Sequence, residues 1–238
     1  MTEPSLLYSR EVPITDKIHI VIPTVGEIID HEDEYYTLVS MLTAMPIDFM
    51  VQLDDLGIDF DEINEYELFL LLFPTIKKMD VSLIFGDLDL TKFDWAKHIE
   101  SDMHVVYDEE NDIVIDRVTH TRIADTLRKL HHLEKDTRKP GNKEAREYMI
   151  ERARKKLQRR KKKKNKSQLG QLIVAMVNTE QYKYGYESTR DLTIYQFNES
   201  VQQIMHKVEY DNMMHGIYSG TVDPKSISQD NFNWLDHK

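Results

Sequence analysis

The sequence predicts a mainly α-helical fold with minor β content, of the α+β class. Apolar residues recur at a spacing near 3.6 in several segments, and some of these begin with a capping-box pair such as Thr24 with Glu27. Strand signals are few and short. We therefore expect a short N-terminal strand, one hairpin and a helical C-terminal domain.

The strand signals lie in the N-terminal half. The segment 17–22 is rich in β-branched residues and is ended by Pro23. Segments 105–107 and 113–115 flank an acidic turn and predict a hairpin. The short apolar run 81–85 is interpreted as a further strand.

Helical periodicity extends over most of the remaining chain. Asn64 with Glu67 and Thr193 with Gln196 have the spacing of capping boxes. The predicted helices cover residues 28–45, 48–56, 63–78, 121–133, 143–164 and 194–210, and an apolar run at 169–177 begins the C-terminal segment.

Charge is separated along the 238 residues. Residues 1–120 carry 27 Asp and Glu against 7 Lys and Arg, a net charge of −20. Residues 121–166 have a net charge of +13 and residues 167–238 a net charge of −4. This pattern predicts an acidic α+β domain at 1–118, a basic helical connector at 119–166 and a helical domain with an aromatic tail at 167–238. It is more typical of a binding protein than of an enzyme core.

The composition restricts the chemistry. The chain contains no cysteine, which excludes disulfides, thiolate metal sites and cysteine nucleophiles. The N-terminus has no signal-peptide pattern, and apolar runs such as 68–73 and 172–177 are too short to cross a bilayer. We expect an intracellular protein with no membrane partner.

No catalytic or metal-binding motif is recognisable. Acidic residues are concentrated between Asp54 and Glu67, but their spacing does not match a calcium-binding EF-hand loop. The ten histidines do not form an HExxH motif, and no phosphate-binding or nucleophile motif is present. We predict that the protein is not an enzyme and uses no metal or cofactor.

The basic run 152–166 is the sharpest local feature. It is suited to an acidic protein surface, including this chain's own N-terminal half, to non-specific contact with nucleic acid, or to a solvated helix and linker. Alternating tyrosines at 182–186 indicate either packing under the helix predicted at 194–210 or a binding surface. The C-terminal tryptophan is expected to contact this chain or a neighbouring subunit. The candidate partner-binding residues are Arg152, Arg154, Lys155, Lys156, Arg159, Arg160, Lys161, Lys162, Tyr184, Tyr186 and Trp234.

The stretch Ile18–Asp30, with sequence IHIVIPTVGEIID, resembles the opening of bacteriophage tail assembly chaperones. Those proteins have a short strand, a Pro-Thr-Val-Gly-Asp/Glu turn and a helix near the N-terminus. The similarity continues through Leu38–Pro46 and the acidic stretch Leu53–Leu72, so that it covers about residues 15–75.

This resemblance implies a non-enzymatic role in the host cytoplasm during virion morphogenesis. Tail assembly chaperones bind the long tape-measure protein and tail-tube subunits, and are normally absent from the finished particle. The hairpin region 103–116 and the basic helix 143–164 depart from the family pattern. Two alternatives therefore remain: a structural virion protein of the capsid, neck or tail whose basic helix contacts DNA or a neighbouring subunit, and a nucleic-acid-binding regulator. Self-association is a further hypothesis.

Overall fold

The computed structural model describes residues 5–97, 104–161 and 167–234. Helices make up 57% of the structure and strands 9%, which confirms the predicted mainly helical α+β class. The ten α-helices within the described residues are α1 (Val25–Asp30), α2 (Glu32–Leu42), α3 (Met50–Asp55), α4 (Glu65–Ile76), α5 (Ser82–Phe85), α6 (Arg117–His131), α7 (Lys143–Lys161), α8 (Gln168–Val177), α9 (Tyr186–Arg190) and α10 (Ile194–Tyr218).

Two small antiparallel sheets accompany the helices. The strands are β1 (Glu11–Pro13), β2 (His19–Val21), β3 (Asp94–Lys97), β4 (His104–Asp108) and β5 (Ile113–Ile115). β1 pairs with β2, and the other three form a sheet in the order β3-β4-β5. The N-terminal strand and the hairpin β4–β5 are confirmed, with Val106 opposite Ile115.

The predicted capping boxes are confirmed. The side chain of Thr24 accepts a hydrogen bond from the backbone N–H of Glu27 at 3.2 Å, and the Glu27 carboxylate accepts one from the N–H of Thr24 at 2.6 Å. The same exchange occurs between Asn64 and Glu67 at the start of α4. These pairs satisfy N–H groups that a helix cannot satisfy internally, and so they define where α1 and α4 begin.

The strand predicted over 81–85 is wrong, because this segment forms the short helix α5. Asp80 Oδ1 accepts a hydrogen bond from the Ser82 N–H at 3.0 Å, and the Phe85 N–H donates to the Val81 carbonyl at 2.8 Å. Gly86 ends the turn with a φ of +60°, a backbone conformation that favours glycine. A short apolar run fits a buried helical turn as well as a strand, and here the local hydrogen bonds favour the turn.

Two helix boundaries also differ from the prediction. The helix predicted over 28–45 is divided at His31 into α1 and α2, and the three acidic residues that follow His31 begin the second helix. α10 continues eight residues beyond Tyr210. α7 ends at Lys161, and the remainder of the predicted basic helix lies outside the described residues.

The main hydrophobic core joins the N-terminal and C-terminal parts of the chain. Ile20 of β2 and Leu38 of α2 belong to the same buried cluster as Ile173 of α8 and Phe197 of α10. The backbone connects them too, because the N–H of Ile194 donates to the Pro23 carbonyl at 2.9 Å. The three-part division drawn from charge stays a prediction, while apolar packing extends across both of its boundaries.

A second, smaller core lies beneath α7. Buried Ile47, Leu53 and Phe60 form part of this cluster, and Met149 and Ile150 of α7 pack against it. The thin apolar stripe of this basic helix is therefore used for packing.

A buried ion network joins three helices around Arg128. Its Nη2 donates to the Thr43 carbonyl and to Oε1 of Glu65, both at 2.6 Å, and its Nη1 donates to Asp125 at 3.0 Å. The Arg128 side chain is only 6% exposed. Lys135 supplies a second cation, 2.8 Å from Asp125. The network connects α6 to the end of α2 and to the first turn of α4.

We expect the substitution Arg128→Met to lower the free energy of unfolding by about 3–5 kcal/mol, because it leaves the Glu65 carboxylate and the Thr43 carbonyl without their buried partner. Urea unfolding measures the change. The control Arg122→Met removes an exposed arginine from the same helix and should cost less than about 0.5 kcal/mol. Equal losses in the two variants would contradict this role for Arg128.

His120 is a buried histidine in the same region. Its ring stacks on Phe69 with centroids 4.3 Å apart, and neither ring nitrogen has a hydrogen-bond partner within the described residues. Burial, together with the charge of Arg128, lowers the pKa of His120 from 6.5 to about 4. The folded state therefore holds this ring neutral.

Because the folded-state pKa lies below the ordinary value, the stability that His120 contributes is complete above about pH 6.5 and is lost as the pH falls toward 4. We expect His120→Phe to reduce the loss of unfolding free energy between pH 7 and pH 4.5 by about 2–3 kcal/mol. The variant His215→Phe, at an exposed site, should lose as much stability as the unchanged protein. An equal acid sensitivity in His120→Phe would show that this ring is not the titrating group.

Candidate binding site

α7 is held on the acidic N-terminal half of its own chain. Arg154 donates to Asp54 at 2.8 Å and lies 2.7 Å from a carboxylate oxygen of Asp55, both in α3. Met149 and Ile150 pack on the second core close to these ion pairs. Arg154 therefore binds an acidic surface of its own chain, which is one of the roles considered for the basic run.

Most of the other acids between Asp54 and Glu67 also have structural partners. Arg146 of α7 lies 2.5 Å from Asp59 and 3.6 Å from Asp61. Glu65 pairs with the buried arginine of α6, and Glu67 caps α4. This acidic stretch is therefore explained by intrachain ion pairs and capping.

The opposite side of α7 carries cations without such partners. Arg152, Lys156 and Arg159 are exposed and have no ion pair in the described part of the chain. Lys155 is exposed too but pairs with Glu151 at 2.6 Å. The sequence candidates Arg160 and Lys161 belong to the last turn of α7, whereas Lys162 lies outside the described residues.

The aromatic candidates lie at other places. Tyr184 and Tyr186 are exposed beside buried Tyr182, whose ring is 5.4 Å from that of Tyr184. The Trp234 carbonyl accepts a hydrogen bond from Gln203 of α10 at 3.1 Å, and Nζ of Lys207 is 5.8 Å from the centre of its ring. The tail thus contacts its own chain, and the structure does not bring the aromatic and basic candidates together in one site.

A surface groove between α2 and α8 is the site that sequence reasoning missed. Its volume is about 590 Å³, and one end reaches Asn198 of α10. Apolar side chains line it beside acidic ones, so that it is suited to a partner with both apolar and basic groups. The main lining residues are Glu32, Asp33, Tyr36, Met41, Phe49 and Leu172.

The groove is formed by segments that lie about 130 residues apart in sequence. Ser167 caps α8 through a 2.7 Å hydrogen bond from the Gly170 N–H, and Glu32 accepts a 2.9 Å hydrogen bond from the Leu169 N–H. Ile173 then faces the core, whereas neighbouring Leu172 lines the groove. No local pattern in either segment predicts this arrangement, because each helix has an ordinary apolar stripe.

Tyr36 supplies a polar hydroxyl group among the residues that line the groove. Burial, reinforced by the charge of Glu32, raises the pKa of Tyr36 to about 12. Its hydroxyl group can donate a hydrogen bond to a bound partner. Asp33 is exposed beside it.

The described residues contain no group of three or more His, Asp or Glu side chains arranged to hold a metal ion. None of the helices described is both long and apolar enough to cross a bilayer. The absence of enzymatic activity and of cofactors stays a prediction.

Fold and groove together define a mainly helical α+β protein with a surface groove lined by apolar and acidic side chains. Residues 161–238 match the family model of the YomV second domain, which is close to a third of the chain. No curated protein and no solved structure matches the chain. The matched domain family is phage-associated, and it supports a bacteriophage protein.

Proposed function

We propose that this bacteriophage protein is a non-enzymatic tail assembly chaperone that binds the tape-measure protein and tail-tube subunits. The groove between α2 and α8 is the observation that supports the proposal most directly. It combines apolar and acidic side chains in one surface groove. The N-terminal strand, turn and helix that resemble tail assembly chaperones lead into α2, which lines the groove.

The chemistry of the groove indicates what it binds. Tyr36, Met41 and Leu172 offer apolar contacts, while Glu32 and Asp33 add negative charge at the edge. A volume of about 590 Å³ accommodates several side chains. An amphipathic helix with an apolar stripe and basic flanks is complementary to such a surface, because its side chains at i, i+3 and i+4 enter the groove together.

The tape-measure protein of a tail is long and helical, so that its apolar stripes are exposed before the tail tube surrounds it. A chaperone that covers one such stripe with Met41 and Phe49 reduces the exposed apolar patch that drives aggregation. Methionine is suited to this task because its flexible side chain adapts to different partners. The net charge of −11 favours solubility of the complex.

We expect Leu172→Asp to weaken the binding of tape-measure peptides at least about tenfold, because it places a charge against the apolar face of the bound helix. Isothermal titration calorimetry measures the affinity. Val174→Asp is the matched control, since Val174 is exposed on the same helix and does not line the groove. Binding that is equally affected in both variants, or absent in the unchanged protein, would contradict the proposal.

A structural virion protein is the second candidate. The part of α10 from Met205 onward favours it, because Met205, Val208 and Tyr218 are exposed on a helix whose N-terminal part is buried. Such a surface is suited to a neighbouring subunit. Mass spectrometry of purified particles separates the two functions: the chaperone should be found in the lysate and be absent from particles, whereas stoichiometric presence in particles would favour the structural role.

A further inference from the structure

We propose that the outward face of α7 binds the phosphate backbone of nucleic acid without sequence specificity. This site is separate from the groove between α2 and α8, because no residue of α7 lines that groove. It rests on the different partners that the structure gives to the two faces of one helix.

The inward face of α7 is occupied. Arg146, Met149, Ile150 and Arg154 recur at helical spacing and therefore share one side. The two arginines are paired with aspartates of the same chain, and the two apolar residues pack on the second core. These contacts hold the helix on the protein surface, and they neutralise the positive charges of Arg146 and Arg154.

The outward face carries a second stripe at the same spacing. Tyr148, Arg152, Lys156 and Arg159 follow one another at i, i+4, i+8 and i+11, and all four are exposed. From Arg152 to Arg159 the helix rises about 10 Å. This distance corresponds to about three phosphates along one strand of a B-form duplex. The three cations therefore lie along a length that spans about three phosphates of one nucleic-acid strand.

The remaining contacts favour a phosphate backbone over an acidic protein. Four aspartates of the N-terminal half pair with the inward face of α7, and no carboxylate pairs with Arg152, Lys156 or Arg159 among the described residues. The phenol of Tyr148, 63% exposed, can donate a hydrogen bond to a phosphate or stack on an unpaired base. Within the described residues no side chain holds Arg152, Lys156 or Arg159 in a fixed orientation toward a base edge, so we expect contact with phosphates and no sequence readout.

Fluorescence anisotropy with a labelled random-sequence DNA duplex over a salt series tests the site. The full chain should bind at low salt and lose affinity as salt increases. The variant Arg152→Gln/Lys156→Gln/Arg159→Gln should lose at least about tenfold in affinity at the lowest salt. Its plot of log K against log salt should become shallower by about 3, because about 0.9 is lost for each phosphate contact.

The control Lys78→Gln/Lys183→Gln/Lys225→Gln removes the same charge from exposed lysines elsewhere and should retain most of the affinity. The variant Leu172→Asp should bind DNA normally, which separates this site from the groove. Three results would overturn the proposal: no binding at low salt, equal losses in the two triple variants, or polyglutamate binding as tightly as DNA. Circular dichroism of each variant verifies that the exposed substitutions leave the fold intact.

Discussion

The buried guanidinium of Arg128 is the interaction on which the arrangement of the helices depends. It connects α6 with the end of α2 through the Thr43 carbonyl and with the start of α4 through Glu65. α6 then supports α10, because Asn198 donates to the Leu130 carbonyl at 3.0 Å. Since α2 and α8 form the groove beside this pair, one buried ion network helps to determine the shape of the proposed binding site.

Such a network is costly to bury and is stabilising only when every charge has a partner. Arg128 meets this condition through Thr43, Glu65 and Asp125. Lys135 pairs with Asp125 as a second cation. His120 lies close by and is kept uncharged by its apolar surroundings. The region therefore contains a satisfied charge and a neutral histidine, which together account for an expected loss of stability at acid pH.

Charge separation along the chain has a structural consequence as well as a functional one. Part of the acidic N-terminal half is paired with α7, so that the net charge of −20 over residues 1–120 overstates the free negative surface. What remains negative at Glu32 and Asp33 lies at the edge of the groove. The two faces of α7 separate an intrachain contact from the surface proposed for phosphate.

Local features of the fold were predictable from the sequence, and the proposed sites were largely not. The helix starts at Thr24, Asn64 and Thr193 follow from short-range hydrogen bonding, which adjacent residues determine. The segment 81–85 was assigned wrongly because an apolar run of this length suits either a strand or a helical turn. The groove arises from residues distant in sequence, for which a single chain has no periodic signal. A contact of the Trp234 tail was predictable from the sequence, but its partner Gln203 was not.

The central claim is that a helical partner occupies the groove between α2 and α8, and methionine methyl NMR tests it most directly. The chain has eleven methionines. Met41 lines the groove, Met149 of α7 packs on the second core, and Met205 is an exposed residue of α10. On titration with a tape-measure peptide, we expect the Met41 methyl signal to shift while the Met149 and Met205 signals stay in place. A shift at Met205 with Met41 unchanged would place the partner on α10 and contradict the account.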